Sequence, residues 1–468
     1  MEQSVKYRKF IGTREFYKKV FLIAIPIMIQ NFITNFVSML DNIMVGQIGT
    51  DQMSGVAIVN QLIFVFNISM FGAVSGAGIF GTQFFGKGDN EGVRYAFRFK
   101  IYAAAILTIA AGLLFMLAGR NLISLYLHEG SDVGDLEATM EYAWQYLKII
   151  IISLIPAAIG QVYASTLREC GRTLPPMIAG IIAVGVNLMF NYIFIFGKFG
   201  APALGANGAA IATCIARVIE CIVLVVWVYA NKLKCPYFEG ALKSLKIPSK
   251  LALQMLKKGL PLMFNEMFWS FGMAVIAQCY AYRGLAIVAA QNISSTIVNL
   301  FNIVFITLGN SVSIIIGQLL GAGELERAKR EDRWLIAFSV VACAVVAAVM
   351  SCFAGAFPQI YNTEQEVRNY ATQFILLSAA IMPVNAFTNS VYFTLRSGGK
   401  TGITFIFDSV YTWVLVIPLA YVLARFTGLP TIAVYAIVQC MDIVKGTIGF
   451  VLIKKGVWIH NLAEENGN

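Results

Sequence analysis

The chain has 468 residues, of which 58% are hydrophobic and only 13% are charged, against about 25% charged residues in an average soluble protein. This composition excludes an ordinary soluble globular protein and predicts a membrane protein that crosses the bilayer many times. The formal net charge of +10 could suggest a nucleic-acid partner, but the positions of the basic residues argue against one. The two histidines, His128 and His460, lie far apart and the eight cysteines stand singly, so we expect no metal site and no disulfide framework.

Apolar segments long enough to cross a bilayer, which takes about 20 helical residues, recur along the chain. Twelve of them predict an all-α integral membrane protein with twelve transmembrane helices. They lie near residues 20–45, 54–81, 99–118, 141–165, 175–197, 207–230, 255–280, 288–316, 334–354, 369–394, 402–424 and 432–453.

The first segment carries a proline near its start, Pro26, and a carboxylate near its end, Asp41. Because a proline removes one backbone hydrogen bond and bends a helix, Pro26 is the candidate hinge. A polar stripe on one helix face leads to the acid, at steps of three and four residues: Asn31, Thr34, Ser38 and Asp41. An ionisable group inside a membrane segment is costly and usually functional. A structural aspartate bonded to a neighbouring helix is the alternative.

The two halves of the chain repeat each other. A shift of 235 residues places Pro26 on Pro261 and Gln83 on Gln318, and an LR-x-x-G segment occurs in both halves. Each half holds six spans, an even number, so the repeat is parallel. We therefore predict two six-helix lobes, residues 1–230 and 259–468, joined by a basic cytoplasmic linker, 231–258. Such repeats place the substrate site between the lobes, with alternating access.

Two further features of the repeat concern its glycines and its acids. Four repeated glycines are interpreted as tight cytoplasmic turns: Gly86, Gly88, Gly321 and Gly323. Each first helix also carries one carboxylate, but at a different depth, because Asp41 falls on Ile276 and Glu266 falls on Asn31. We infer that the scaffold is duplicated and that the charge chemistry is not.

Basic residues cluster on one side of the predicted membrane segments. Of the 35 lysines and arginines, 27 lie in one set of alternate segments and five in the other. The positive-inside rule then predicts that both termini lie in the cytoplasm. We expect the protein itself to lie in the cell (inner) membrane. This distribution also accounts for the net charge without a nucleic acid.

Several charged residues fall within spans and need a partner. Arg217 with Glu220, and Asp442 with Lys445, are spaced for ion pairs along one helix. Asp408 has no charged neighbour in its own span. It stays open between a functional and a structural role.

The chain resembles the multidrug and toxic compound extrusion (MATE) family of transporters over nearly its whole length. The resemblance is carried by Pro26 and by short polar and glycine-rich motifs in both halves. These are SMLDNIMVGQIG (38–49), GTQFFGKGD (81–89), LRECGRT (167–173), VNLMFNYIFIFG (186–197), GANGAAIAT (205–213), GLPLMFNE (259–266), IIGQLLGAGE (315–324) and LRSGGKT (395–401).

The resemblance implies a transporter, not an enzyme, with two lobes in a V around a central cavity. It implies export of cationic or amphipathic organic compounds, driven by inward movement of H⁺ or Na⁺, with no other cofactor. The family's amino-terminal ion-coupling cluster uses an aspartate on the first helix, an Asn-x-x-x-Asp pair on the fifth and a threonine on the sixth. The matching residues here are Asp41, Asn187, Asn191 and Thr213. The amide at Asn191 replaces the family's acid, which weakens the case for a Na⁺ site there.

One branch of the family, the NorM type, uses a seventh-helix glutamate, matched here by Glu266. Its other acids are not clearly matched, and Asp408 and Asp442 are the available candidates. We predict an H⁺-coupled antiporter that works through Asp41, with small organic substrates and lipid as its partners, and a monomer. The alternatives are Na⁺ coupling through the carboxyl-terminal lobe, and a lipid-linked oligosaccharide flippase of the same superfamily.

Overall fold

The structure is a computed structural model that describes residues 10–127 and 135–465; His128 lies outside the described residues. The described chain is all-α, without strands. Twelve of its helices are long and apolar enough to cross a membrane, which confirms the predicted fold class. They are α1 (Arg14–Gly46), α2 (Thr50–Lys87), α3 (Asn90–Ser124), α4 (Leu136–Glu169), α5 (Leu174–Phe196), α6 (Ala206–Ala230), α7 (Ser249–Ala281), α8 (Leu285–Gly321), α9 (Leu325–Phe353), α10 (Gln365–Ser397), α11 (Thr401–Phe426) and α12 (Thr431–Lys454). A short helix, α13 (Leu462–Glu465), follows.

Most helices extend past the apolar segments that predicted them. Helix α3 begins at Asn90, although its apolar segment starts near residue 99. Its first turns are stabilised by polar contacts, among them an ion pair of 2.7 Å between Arg94 and Glu91, at the i, i+3 spacing that suits a helix. Hydropathy therefore marks the part of a helix that suits lipid and misses its polar end.

Helix α11 departs from regular α-helical geometry in its middle. Ile406–Val410 and Thr412–Val416 are π-helical, a conformation that is rare and often occurs at functional sites. Asp408 and Ser409 lie in the first of these turns and both contact Asn265 of α7. The distortion thus positions part of a candidate site.

The helices group into two compact units. The first unit comprises residues 10–28, Thr82–Asp89 and 260–465, and the second comprises Ile29–Gly81 and the described part of Asn90–Gly259. These units differ from the predicted lobes at the start of α1, the end of α2 and the start of α7. The chain passes between the units close to Pro26 in α1 and close to Pro261 in α7.

Side-chain packing explains why the start of α1 belongs to the first unit. The Phe16 ring lies edge-on to Trp334 of α9, with ring centroids 5.2 Å apart, and Tyr17 lies 5.3 Å from Phe338. Val20 and Ile23 are buried in the same hydrophobic cluster as residues of α8. Burial of such side chains contributes about 1.5–3 kcal/mol each. A hydropathy pattern shows that a side chain is apolar, but not which helix it packs against.

The repeated glycines have two different roles. Gly88 and Gly323 have φ angles of +80° and +76°, so they form the predicted turns, because positive φ favours glycine. The interpretation of Gly86 and Gly321 as turns is wrong, since Gly86 lies within α2 and Gly321 is the last residue of α8. A Cβ on either one would overlap the backbone of a glutamine, Gln318 for Gly86 and Gln83 for Gly321. The ends of α2 and α8 therefore cross in direct backbone contact.

Gln83 itself holds the carboxyl-terminal segment of the chain. Its fully buried amide donates to the Ser397 carbonyl at 2.8 Å and accepts from the Leu462 N–H at 2.7 Å. Lys87 donates to the Ala463 carbonyl at 2.9 Å. The end of α2 is thereby joined to α10 and to α13 within the first unit.

The predicted linker, residues 231–258, belongs to the second unit. It contains two 3₁₀ turns, Lys232–Lys234 and Pro236–Phe238, and α7 already begins within it, at Ser249. Arg98 of α3 donates to the carbonyls of Ala241 and Lys246 at 2.9 and 3.1 Å. The Phe238 ring also packs on Phe97 of α3 and Tyr163 of α4, so the segment is docked on both helices.

Candidate functional site

The carboxylate of Asp41 is the centre of a polar cluster in the second unit. Asp41 is partly buried near the end of α1. Its Oδ1 accepts a hydrogen bond of 2.6 Å from Nδ2 of Asn191 on α5. The polar stripe predicted on α1 thus leads to an acid that contacts another helix.

Two further residues complete this amino-terminal cluster. Asn191 Nδ2 lies 3.1 Å from Asn187 Oδ1, and Asn187 Nδ2 lies 3.3 Å from Thr213 Oγ1 of α6. The spacing of four residues on α5 places both amides on one helix face, where both are buried. The structure therefore brings all four predicted amino-terminal residues together, although their role in ion coupling stays a prediction.

The amides around Asp41 can hydrogen-bond to its carboxyl group both when it is ionised and when it is protonated. With the opposite orientation of the Asn187 amide, its nitrogen would lie 3.1 and 3.0 Å from the two Asp41 oxygens; amide orientations are assigned from such networks. An amide can donate to a carboxylate through nitrogen or accept from a carboxylic acid through oxygen. Among the described residues Asp41 forms no ion pair, so its polar neighbours are neutral.

Sequence reasoning missed one neighbour of this cluster. Tyr146 of α4 is 4% exposed and lies close enough to Asp41 to interact with it electrostatically. A single tyrosine in an apolar segment gives no signal that could have identified it.

Glu266 on α7 belongs to a second cluster, in the first unit. Its Oε1 accepts a hydrogen bond of 2.9 Å from the Tyr392 hydroxyl and lies 3.6 Å from Arg396 Nη1, both on α10. Arg396 comes from the repeated LR-x-x-G segment. In the other half, its counterpart Arg168 donates to the neutral Gln30 of α1 at 2.8 Å. Among the described residues, therefore, the two arginines meet different partners, an acid on α7 and an amide on α1.

Asn265 connects Glu266 to the remaining candidate acids. Its Nδ2 lies 3.2 Å from the Tyr392 hydroxyl and 3.0 Å from Asp408 Oδ2. Asp408 Oδ1 in turn forms a 2.5 Å ion pair with Lys445 of α12. Asp442, one turn before Lys445, interacts electrostatically with both.

The structure tests the ion pairs expected along single helices. Arg217 pairs with Glu220 at 2.8 Å, as predicted. The predicted Asp442–Lys445 pair is replaced by Asp408–Lys445. The lysine side chain extends across to the π-helical turn of α11, a partner that spacing along α12 could not identify.

Charged side chains are also buried outside both clusters, and Asp332 and Lys100 are two of them. Asp332 of α9 is 1% exposed and accepts from Thr394 at 2.6 Å, while its Oδ2 has no hydrogen-bond partner among the described residues. Lys100 of α3 is fully buried and pairs with Glu169 of α4. Neither residue was singled out by the sequence analysis, because each lies beside other charged residues near the start of its helix.

The Pro26 hinge is not tested by this geometry. The proline lies inside α1, two residues before the chain leaves the first unit, and Pro261 lies just after α7 enters it. A helix that lacks one backbone bond at this point can change direction there. The hinge stays a prediction.

Comparisons with known proteins place the chain in a family. The MatE family model matches residues 26–193 and 261–422, one segment in each half. The chain is 25% identical over 412 residues to a Bacillus cereus protein named probable multidrug resistance protein NorM, covering 88% of this chain and 89% of that one. A Bacillus subtilis protein of the same name is 23% identical over 425 residues, covering 89% and 91%.

A solved structure shares the fold. It is described as a multidrug resistance MATE family transporter of the MOP superfamily in an outward-facing conformation. It superimposes with a TM-score of 0.85 at 18% identity, covering 94% of this chain and 96% of that one. Because the family model matches well over half of the residues, the chain belongs to the MatE family of membrane transporters.

Proposed function

We propose that the protein is an H⁺-coupled antiporter that exports cationic or amphipathic organic compounds from the cell, with Asp41 as the proton-binding group. The names of the relatives, multidrug resistance proteins, support the substrate class. Membership of a transporter family supports secondary transport. The cell membrane, with both termini in the cytoplasm, is the proposed location, and a monomer the proposed state.

The observation that carries this proposal is the difference between the two acid clusters. In the described part of the chain, the hydrogen-bond partners of Asp41 are neutral amides, whereas Glu266 and Asp408 lie against Arg396 and Lys445. A carboxylate that neutralises a buried cation cannot take up a proton without leaving that cation uncompensated, which is strongly unfavourable. A carboxylate among amides can do so, because the amides can reorient.

In the proposed cycle, Asp41 receives a proton from outside the cell. Its hydrogen bonds to Asn187 and Asn191 rearrange, α1 bends at Pro26, and the cavity beside it narrows so that the substrate leaves outward. Loss of the proton to the cytoplasm restores the hydrogen bonds and the cavity. Asn187, Asn191 and Thr213 act as positioning residues.

The energetics depend on the charge of the substrate. Exchange of one H⁺ for one monovalent cation moves no net charge, so only the pH gradient drives it. With a neutral substrate, a membrane potential of 100 mV adds about 2.3 kcal/mol, which corresponds to about a fortyfold gradient at 1.4 kcal/mol per tenfold. Na⁺ coupling through Glu266 is the main alternative, and the adjacent Arg396 argues against it.

The test is transport of a fluorescent organic cation into inverted membrane vesicles, with the pH and Na⁺ gradients imposed separately. We expect Asp41→Asn to abolish pH-driven transport, and Glu266→Gln to retain most of it. Glu137→Gln, the same chemical change on an exposed side chain of α4, serves as the control. Folded protein is compared by size-exclusion chromatography.

Transport that is driven by Na⁺ and lost only in Glu266→Gln would assign coupling to the first unit and refute the role of Asp41. If the wild type moves no cation under either gradient, drug export is wrong. Transport of a lipid-linked oligosaccharide would then be tested in the same vesicles.

A further inference from the structure

The acid cluster of the first unit contains two cations of the protein itself. Five charged side chains lie within membrane-crossing helices there: Glu266, Arg396, Asp408, Asp442 and Lys445. Such groups are rare in membrane segments and face one another or a cavity. Lys445 is therefore a cation supplied by the protein within a cluster of acids.

The ammonium group of Lys445 lies against one acid of this cluster and over an aromatic ring. It lies 2.5 Å from Asp408 Oδ1 and 5.3 Å from the centre of the Phe407 ring. The side chains of Lys445 and Asp408 are each 13% exposed. Asp442, which comes from the same helix as Lys445, interacts with the same ammonium group.

The remaining oxygen atoms around this position suit a hard monovalent cation. The Asp408 and Asp442 carboxylates supply oxygens, while Asn265 positions the first of them, because its Nδ2 donates to Asp408 Oδ2 at 3.0 Å and its Oδ1 accepts from Ser409. Hard cations prefer carboxylate and amide oxygens. An ammonium group on a flexible stem is a compact point charge that satisfies the same carboxylates without requiring an ion from solution.

We propose that Lys445 is a tethered counter-cation that fills the cation-binding position of the carboxyl-terminal acid cluster and closes this cluster to Na⁺. The side chain determines ion specificity: a chain that lacks the ammonium group binds Na⁺ between Asp408 and Asp442. This concerns ion binding in the first unit, and it holds whether or not Asp41 carries the coupling proton.

The test compares Lys445→Met, which keeps most of the length of the side chain and removes its charge, with the unaltered lysine. Both are made in the Asp41→Asn background, so that ion binding at the other cluster does not contribute. Equilibrium unfolding of the purified protein is measured in detergent over a range of NaCl concentrations, with ionic strength held by N-methyl-D-glucamine chloride.

We expect the stability of the protein with Lys445 to be independent of Na⁺. For Lys445→Met, each tenfold increase in Na⁺ above its dissociation constant should raise the ratio of folded to unfolded protein about tenfold. The response should vanish in Lys445→Met with Asp408→Asn, and remain absent in Lys445→Arg. Lys148→Met, which removes an exposed lysine of α4, should show no response.

A Na⁺ response in the protein that retains Lys445, lost on Asp408→Asn, would overturn the proposal, because the site would then be open. A folded Lys445→Met without any Na⁺ response would overturn it as well. If Lys445→Met unfolds when extracted without Na⁺, extraction in 300 mM NaCl (about the upper end of the titration) should recover folded protein. The proposal is contradicted if Lys445→Met is not recovered folded in NaCl although the double variant Lys445→Met, Asp408→Asn folds.

Discussion

Replacing Gly86 by alanine tests the backbone crossing of α2 and α8. The added Cβ would lie 2.7 Å from the carbonyl carbon of Gln318 and 2.8 Å from its Cα, whereas carbon atoms in contact are normally about 3.5–4.0 Å apart. The two helices must separate by about 1 Å to admit it. Overpacking of this kind costs about 1–3 kcal/mol, against a gain in helix propensity of up to about 1 kcal/mol.

We therefore expect Gly86→Ala to lower the free energy of unfolding by about 1–2 kcal/mol, or five- to thirtyfold in the ratio of folded to unfolded protein. Gly321→Ala should do the same, because its Cβ would lie 2.5 Å from the carbonyl carbon of Gln83. Gly112→Ala in α3 is the matched control. A Cβ there meets nothing within 4 Å, so the control should be neutral or stabilising. Unfolding is followed in detergent by tryptophan fluorescence.

The double variant gives the sharper result. A separation that admits one Cβ also admits the other, since both glycines lie at the same crossing. The loss in Gly86→Ala with Gly321→Ala should be clearly smaller than the sum of the single losses, which is the sign of coupled sites. Additive losses, or stabilisation equal to that of Gly112→Ala, would refute the crossing.

The other predictions concern buried charges and the docked linker. Lys100→Met should destabilise the protein by about 3–5 kcal/mol, because it leaves the Glu169 carboxylate without its ammonium partner. Adding Glu169→Gln should recover most of this loss in the same unfolding assay. No recovery would contradict the pairing. Asp332→Asn should leave stability unchanged or raise it, because among the described residues the carboxylate forms no ion pair and its Oδ2 accepts no hydrogen bond. A loss of more than about 1 kcal/mol would show that the charge is needed. Arg98→Ala should release the linker from α3 and speed tryptic cleavage after Lys243, seen by mass spectrometry; unchanged cleavage would mean that the two carbonyl bonds do not hold it.

The membrane-crossing helices could be predicted from sequence because their signal is local. A run of about 20 apolar residues must become a helix in lipid, since no other backbone arrangement within one segment satisfies its hydrogen bonds there. The parallel repeat was equally accessible, because motifs such as LR-x-x-G recur at a fixed spacing. The polar ends of helices such as α3 were missed, because hydropathy does not distinguish a polar helix from a polar loop.

The candidate sites divide in the same way. That Asp41 and Glu266 are exceptional follows from their position in apolar helices. The grouping of Asp41 with Asn187, Asn191 and Thr213 came from a family resemblance, and the structure supplies the distances. The neutral surroundings of Asp41, which favour it as the proton-binding group, are not visible in any motif.

The sequence by itself determined the class of protein, the helices and the residues that carry unusual charges, because these depend on composition and on spacing along one segment. Only the tertiary structure decided which side chains meet. Lys445 pairs with Asp408 on another helix and not with Asp442 on its own, and Gly86 lies at a helix crossing and not in a turn. The physical reason is that such contacts depend on how separate helices are placed against one another, and partners such as Lys445 and Asp408 lie 37 residues apart in the chain.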